Sequence, residues 1–283
     1  MSKKSGRVGS ATQEQSKTII KTIDKYLYSY GATNLFYDFI DYCMHMLSMG
    51  TIPMPRELSD KDTAIMNELF LCLQEVDPYE DPFGDVYEYL VSSSKASALG
   101  QFFTPMHVCD FMALMILGEP EDIQIKGHEP SSGSGRNVLA FMKHYRKAVR
   151  EKDYHNANCI WWCIDLDPLC AKMTALNCVL NDIDSVIFHG DTLALNMYAV
   201  YTVERIPLVK FPVLVKHEGE NFNQLVSLLK GSISAGYKKE PEPKREEQVT
   251  LFALDEKVYH EKRATQVKQK KPTNTDENQM LLF

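Results

Sequence analysis

The chain has 283 residues, 44% of them hydrophobic and 24% charged, with a formal net charge of -7 at pH 7. That is the make-up of a soluble globular protein of one or two domains with a sizeable core. The acid excess excludes a general pull toward nucleic acid, so any DNA contact needs a local basic patch or a partner subunit.

The opening stretch "MSKKSGRVGSATQEQSK" is polar and lacks the apolar centre of a signal peptide, and no apolar run is long enough to span a bilayer. The seven cysteines (Cys43, Cys72, Cys109, Cys159, Cys163, Cys170, Cys178) lie inside apolar periodic segments and form no CxxC pair. They read as buried reduced thiols, which predicts a cytoplasmic protein without a metal site or a membrane partner.

In chain order, "SKTIIKTIDKYLYSY", "NLFYDFIDYCMHMLSM" and "KDTAIMNELFLCLQEV" each repeat apolar residues at spacings of three and four, the helical period. Asp60 or Ser59 is a candidate cap for the third. "PYEDPFGD" interrupts the pattern and "VYEYLVSSSKAS" resumes it, giving a helical N-terminal module over residues 1–98. "LGQFFTP" is then a loop in which Thr104 suits an N-cap and Pro105 the first helical position, followed by the helical "MHVCDFMALMIL". Next, strand-like "DIQIKGHEP", "ANCIWWCIDLD" and "SVIFHGD" alternate with helical "SGRNVLAFMKHYRKAV" and "PLCAKMTALNCVLND". That alternation predicts an α/β fold with a parallel sheet, and the apolar second strand predicts cover on both faces. "TLALNMYAVYTV" reads as a helix and "FPVLVK" as one more strand, closing a domain over residues 99–235. Residues 236–283, rich in Lys, Glu, Gln, Pro and Thr, read as a disordered tail.

Ligands of open parallel sheets bind at the carboxyl ends of the strands. "EPSSGSGR" lies there, where Gly133 and Gly135 permit a close backbone approach and the following helix start offers amide donors. The spacing is G-x-G without a third glycine, which departs from the dinucleotide fingerprint and disfavours a nicotinamide-dependent oxidoreductase. The next strand ends in "IDLDP", placing Asp165 and Asp167 where an acid accepts from ribose hydroxyls, although Asp167 before Pro168 also suits a helix cap. The third strand ends in "HGDTL", placing Asp191 where it can accept from an adenine amine. Three acidic strand ends around one Gly loop describe a nucleoside site.

"GQFFTP", "EPSSGSGR", "IDLDPLCAKMTALNCVLNDID" and "GDTL", in this order, resemble the N6-adenine DNA methyltransferases, and among them the modification subunits of type I restriction systems. "DPFGDVYEYLVSSSKASALGQFFTP" resembles the linker from the helical to the catalytic domain of those subunits, so the likeness runs from Asp81 to Leu193. It implies a Rossmann-like class I S-adenosylmethionine-dependent methyltransferase sheet, incomplete here, with S-adenosylmethionine as cofactor and DNA as partner. It also implies Phe103, Thr104 and Pro105 beside the methionine part, Glu129, Ser131 and Gly133 around the amino-acid end, Asp165 on the ribose, Asp191 on the adenine and Leu166 against its ring. Two positions depart from the family pattern. It more often has Asp where Glu129 stands and a small residue where Arg136 stands.

The same resemblance requires an Asn/Asp-Pro-Pro-Tyr/Phe tetrapeptide after the fourth strand, to stack the flipped base and accept from its amine. "RIPLVKFPVLVKHEGENFNQ" contains none, which leaves the catalytic residues unknown and predicts no activity for the chain alone. "DPYED" and "DPFGD" are superficially similar but lie upstream, in the helical linker. Two further pieces, "QVTLF" (Gln248 to Phe252) and "QMLLF" (Gln279 to Phe283), resemble the motif by which bacterial proteins dock in the sliding clamp. The alternative reading is therefore a non-catalytic methyltransferase-like scaffold or subunit tethered to a clamp.

Overall fold

A computed structural model describes residues 16–93, 103–121 and 123–236. Its elements are α1 (Lys17–Tyr30), α2 (Ala32–Leu47), α3 (Asp60–Cys72), α4 (Pro82–Ser93), α5 (Met106–Ile116), β1 (Gln124–Glu129), α6 (Arg136–Glu151), β2 (Asn158–Asp165), α7 (Pro168–Leu180), β3 (Ser185–Asp191), β4 (Asn196–Glu204), β5 (Val213–His217) and α8 (Gly219–Gly236). The helical period thus found α1, α2 and α3 to within two residues at their starts. Of the two candidate caps for α3, Ser59 does the work: its Oγ accepts from the Asp62 amide, satisfying one of the unpaired N–H groups of the first turn.

The five strands form one mixed sheet in the order β1-β2-β3-β4-β5. β1, β2 and β3 are parallel neighbours joined by α6 and α7, as the alternation of the sequence requires. β4 and β5 continue the sheet antiparallel. Here the expectation of a helix over Thr192–Val203 is overturned. "NMYAVYTVE" alternates across a pleat, with Tyr201 and Val203 against the core, and its β-branched and aromatic residues pair along β3. β2 is buried along most of its length, as an apolar strand covered on both faces should be. All seven cysteines are free and buried, and burial pushes the Cys43 and Cys163 thiols well up.

The described residues up to Lys230 form one compact unit. A second unit begins at Gly231, within α8, and the stretch read as a disordered tail lies outside the described residues from 237 onward. The helices of the N-terminal module share a core with the sheet domain. Phe39 of α2 and Phe83 of α4 are both fully buried with ring centroids 6.0 Å apart. Between α2 and α7 a part-exposed ion pair, Asp41–Lys172 at 2.6 Å, adds to this packing. Truncating a buried Phe costs about 3–5 kcal/mol, whereas a part-exposed ion pair contributes about 1 kcal/mol or less, so apolar packing holds the module in place.

One polar cluster is exceptional. Arg136, the first residue of α6, is 4% exposed and carries a charge that burial would penalise. Its Nε donates to Asp81 Oδ2 (2.7 Å), its Nη2 to Asp85 Oδ1 (2.9 Å) and its Nη1 to Glu88 Oε1 (3.1 Å). Burial opposes the guanidinium charge, but Asp81, Glu88 and Asp85 outweigh it and hold the proton more tightly than usual. Three carboxylates around one guanidinium leave the cluster too negative for its surroundings. The Asp85 carboxyl answers by rising from an ordinary 3.8 to about 7, through burial first and the Asp81 charge second, against the pull of Arg136 and Ser16.

A carboxyl raised in the folded state binds its proton more tightly there than in the unfolded chain. Its contribution to stability is full below about pH 4 and is lost as pH rises through about 7. Asp85→Asn, which keeps the shape and cannot ionise, should therefore gain on the wild type by roughly 2–4 kcal/mol between pH 4 and 8. Urea unfolding of both proteins across that range checks it, and a difference that stays constant with pH refutes the protonated carboxyl.

Candidate functional site

The carboxyl ends of the three parallel strands carry Glu129, Asp165 and Asp191. The β1–α6 turn sits among them, and its shape follows from what grips it. Ser132 N–H donates to the Ile164 carbonyl (2.9 Å) and Gly135 N–H to the Ser132 carbonyl (2.8 Å). Gly133 N–H donates to Asp165 Oδ2 (2.7 Å), while Asp165 Oδ1 accepts from the Asp167 amide (2.9 Å). The amides of Gly133 and Gly135 are thus spent inside the turn. Asp165 acts first as the latch of the loop, with further lone pairs on each oxygen for a ligand. Burial pushes its carboxyl up, and the Asp167 and Gly133 amides pull it back.

From below, Thr174 Oγ1 of α7 donates to the Gly133 carbonyl (2.9 Å). Ser134 Oγ donates to Asp81 Oδ2 (2.5 Å), and Asn177 Nδ2 donates to both Asp81 Oδ1 (2.6 Å) and the Ser134 carbonyl (2.8 Å). Asp81 also caps α4 by accepting from the Gly84 amide (2.9 Å). Only glycine fits at 84, because a Cβ there would lie 2.0 Å from Asp81 Oδ2. "DPFG" is therefore a buried clasp between the helical module and the loop.

The loop forms one wall of a cavity of about 290 Å³ lined by Phe103, Thr104, Ser131, Gly133, Asn137 and Asp165, together with Ser132, Ser134, Arg136 and Cys170. Of the residues expected from the sequence, Phe103, Thr104, Ser131, Gly133 and Asp165 meet here. Gly135 lies behind the lining as the left-handed N-cap of α6 (φ +96°). Glu129 adjoins it: its Oε1 accepts from the Ser131 amide (3.4 Å), its Oε2 from Asn137 Nδ2 (3.1 Å), and burial pushes its carboxyl up. Leu166, next to Asp165, is 63% exposed. Asp191 Oδ1 accepts from the amides of Leu193 and Ala194, which fixes the β3–β4 turn. Pro105 is outside the lining. It is the N-cap of α5 with an extended ψ of 139°, so the helix starts one residue later than expected and Thr104 makes no cap. Asp167 does cap α7, accepting from the Leu169 amide (2.8 Å) ahead of Pro168.

Sequence reasoning missed Asn137 and passed over Arg136 as a first-turn substitution. A signal for Arg136 was present, since Asp81, Asp85 and Glu88 are spaced four and three apart and share one helix face. Asn137 offered none: it lines the cavity and its Nδ2 donates to Glu129 Oε2, a contact that no local pattern announces. The chemistry of the site fits S-adenosylmethionine. Glu129 and Asp165 are acceptors suited to an ammonium, a sulfonium and ribose hydroxyls, and Phe103 and Leu166 supply apolar surface.

The two Asp-Pro-aromatic sequences do not reach this site as catalytic groups. Asp81 is fully buried, and both its oxygens are engaged. Tyr79 takes the Asn181 side chain on its amide and Arg146 on its hydroxyl, near Asn158 at the start of β2. Asp165 ends that eight-residue strand, roughly 23 Å away at 3.3 Å per residue.

Gly133 has φ +56°, and a Cβ there would meet Phe103 Cδ1 at 3.0 Å. Gly133→Ala should cost about 1–2 kcal/mol of stability from the left-handed backbone alone and push the Phe103 ring aside. Chemical denaturation checks the first effect, and a variant as stable as the wild type would contradict it.

Residues 79–207 match the family model described as N-6 DNA Methylase. Among solved structures, the chain is similar to a Listeria monocytogenes protein assigned to the class I S-adenosylmethionine-dependent methyltransferases, with 10% identity and a TM-score of 0.37, covering 65% of this chain and 54% of that one. It is also similar to the type I restriction-modification system methyltransferase subunit from Streptococcus thermophilus, with 17% identity and a TM-score of 0.33, covering 69% of this chain and 41% of that one. The chain thus spans about half, or less, of the length of these structures. Motif order and family model agree that residues 79–207 of this chain are similar to the N-6 DNA methylase family, whose methyl donor is S-adenosylmethionine.

Proposed function

We propose that this chain binds S-adenosylmethionine at the Gly133 loop and serves methyl transfer to adenine N6 in DNA, without carrying out that transfer unaided. The observation that carries this reading is the cavity walled by Phe103 and the Gly133 turn, which Asp165 lines and which Glu129 adjoins through Ser131 and Asn137. The bound cofactor supplies an electrophilic methyl group. Asp165, already oriented by two amides, receives the ribose hydroxyls. Glu129, held by Asn137, receives the ammonium, Leu166 covers the adenine ring, and Asp191 takes the adenine amine with the oxygen that the β3–β4 turn leaves over.

The chain's own residues stop there. Residues 1–283 hold no Asn/Asp-Pro-Pro-aromatic tetrapeptide, and β4 folds back along β3 where a catalytic loop was sought. DNA is engaged directly or through a partner subunit, as in a restriction-modification assembly, within the cytoplasm. Among the described residues no helix is long and apolar enough to cross a membrane.

Titration calorimetry should give micromolar binding of the cofactor, about -8 kcal/mol, and Asp165→Ala should weaken it at least tenfold. No heat and no thermal shift with the cofactor would refute the site. In the same preparation, labelled methyl should not pass to unmethylated DNA from the chain alone, and robust transfer would overturn the inactive reading.

The scaffold reading adds a tether. Gln248–Phe252 and Gln279–Phe283 lie outside the described residues and present Leu-Phe anchors after a Gln donor. A peptide of residues 237–283 should bind a bacterial sliding clamp and lose that binding when Leu251, Phe252, Leu282 and Phe283 become Ala. Unchanged affinity would sink the tether and leave the cofactor site untouched.

A further inference from the structure

We propose that Glu88 is a positioning residue for the cofactor cavity, acting with Arg136 to hold Phe103 across the Gly133 turn. This rests on the reading of the cavity as an S-adenosylmethionine site. Glu88 differs from its two acidic neighbours in the Arg136 cluster. Asp81 and Asp85 side chains are 0% and 2% exposed, whereas Glu88 is 26% exposed and lies at the cluster's open side. Its carboxylate accepts at both ends, from Arg136 Nη1 on Oε1 (3.1 Å) and from Nη2 on Oε2 (3.2 Å). Oε1 also accepts from the Phe103 amide (3.2 Å), so one oxygen joins the guanidinium to the backbone of Phe103.

The ring is held from the same two sources. The Arg136 guanidinium carbon lies 5.5 Å from the Phe103 centroid, within the range of a cation–π contact. Tyr87, beside Glu88 on α4, packs its ring 5.4 Å from that of Phe103. The opposite side of Phe103 bears on the Gly133 turn, so closely that a Cβ at 133 would touch its Cδ1 at 3.0 Å. Phe103 is therefore clamped between α4 and the loop, and Thr104 enters the cavity behind it. The Arg136 charge is the pivot. Asp81 and Asp85 fix its Nε and part of Nη2, and Glu88 ties it to the backbone of Phe103.

The consequence is specific to ligand binding. Removing the Glu88 carboxylate frees the Phe103 amide and one edge of the guanidinium while Asp81 and Asp85 keep Arg136 paired. Folding then survives, and the aromatic wall loses its fixed position. Glu88→Gln keeps a carbonyl oxygen for the Phe103 amide, which makes it the conservative partner of Glu88→Ala.

Two measurements on the full chain test this: hydrogen exchange of the Phe103 amide by NMR, without ligand, and calorimetric affinity for S-adenosylmethionine. Glu88→Ala should abolish the protection of that amide and weaken the cofactor at least tenfold. Glu88→Gln should restore the protection and bring affinity to within about threefold of the wild type. Unchanged protection in Glu88→Ala overturns the clamp. Lost protection with unchanged affinity overturns its role in binding while the cofactor site stands. A wild type that binds no cofactor overturns the proposed function, and with it the role assigned to Glu88. A purely structural contribution would lower thermal stability equally in both variants and leave affinity alone, which also counts against the proposal.

Discussion

A guanidinium cannot be buried without partners, and the placement of Arg136 fixes much else in this protein. Its three acidic partners lie on the helical module, at the cap and first two turns of α4, while Arg136 itself opens α6 directly after the cofactor loop. Pairing them brings the module against the sheet at one point and in one orientation. Breaking a buried pair costs about 3–5 kcal/mol, because the surviving charge stays buried without a counter-ion. The geometry matters here as much as the energy. Asp81 binds Ser134 and Asn177 with the oxygens it also offers to Arg136 and Gly84, so the loop, α7 and α4 share one hydrogen-bonded centre. Burial, and after it the Asp81 charge, push the Asp85 carboxyl in that centre up to about 7.

The loop above this centre shows how one side chain can serve both structure and ligand. Asp165 accepts from two amides, and each oxygen keeps a further lone pair beside the cavity that Asp165 lines. The commitment of the two glycine amides within the turn also counts against the dinucleotide reading. A phosphate cradle requires free N–H groups, and Gly133 and Gly135 have none to offer.

The sequence showed the parts that repeat and concealed those that depend on distant partners. α1, α2, α3 and the β1-α6-β2-α7-β3 run follow from local periods, and the strand-end acids follow from that run. "TLALNMYAVYTV" misled because Ala, Leu and Met favour helix while its alternation over Asn196–Glu204 favours strand. Antiparallel pairing with β3 across the turn of residues 192–195 decided between them. Thr104 misled for a different reason: the caps of α5 and α7 differ only in which residue before the helix is extended, which composition does not encode. Arg136 looked like a tolerable exception because its partners lie 48 to 55 positions away. The three acids at helical spacing were visible, but only as a charged helix face, which is more often solvated.

The Asp-Pro-aromatic sequences bring these points together. A side chain that accepts from a flipped adenine must present an oxygen with spare capacity at the cofactor end of the sheet. Asp81 is at that end but is fully enclosed, and four donors occupy its two oxygens. "DPY" at 77–79 lies toward the opposite end of β2, where Tyr79 is bound to Asn181 and Arg146. Freeing Asp81 for catalysis would strip Arg136 of a partner and release the loop that Ser134 and Asn177 anchor to it. The residue that most resembles a catalytic acid in this chain is thus one on which the cavity wall depends. Holding the loop and base chemistry place incompatible demands on Asp81, and the structure meets only the first.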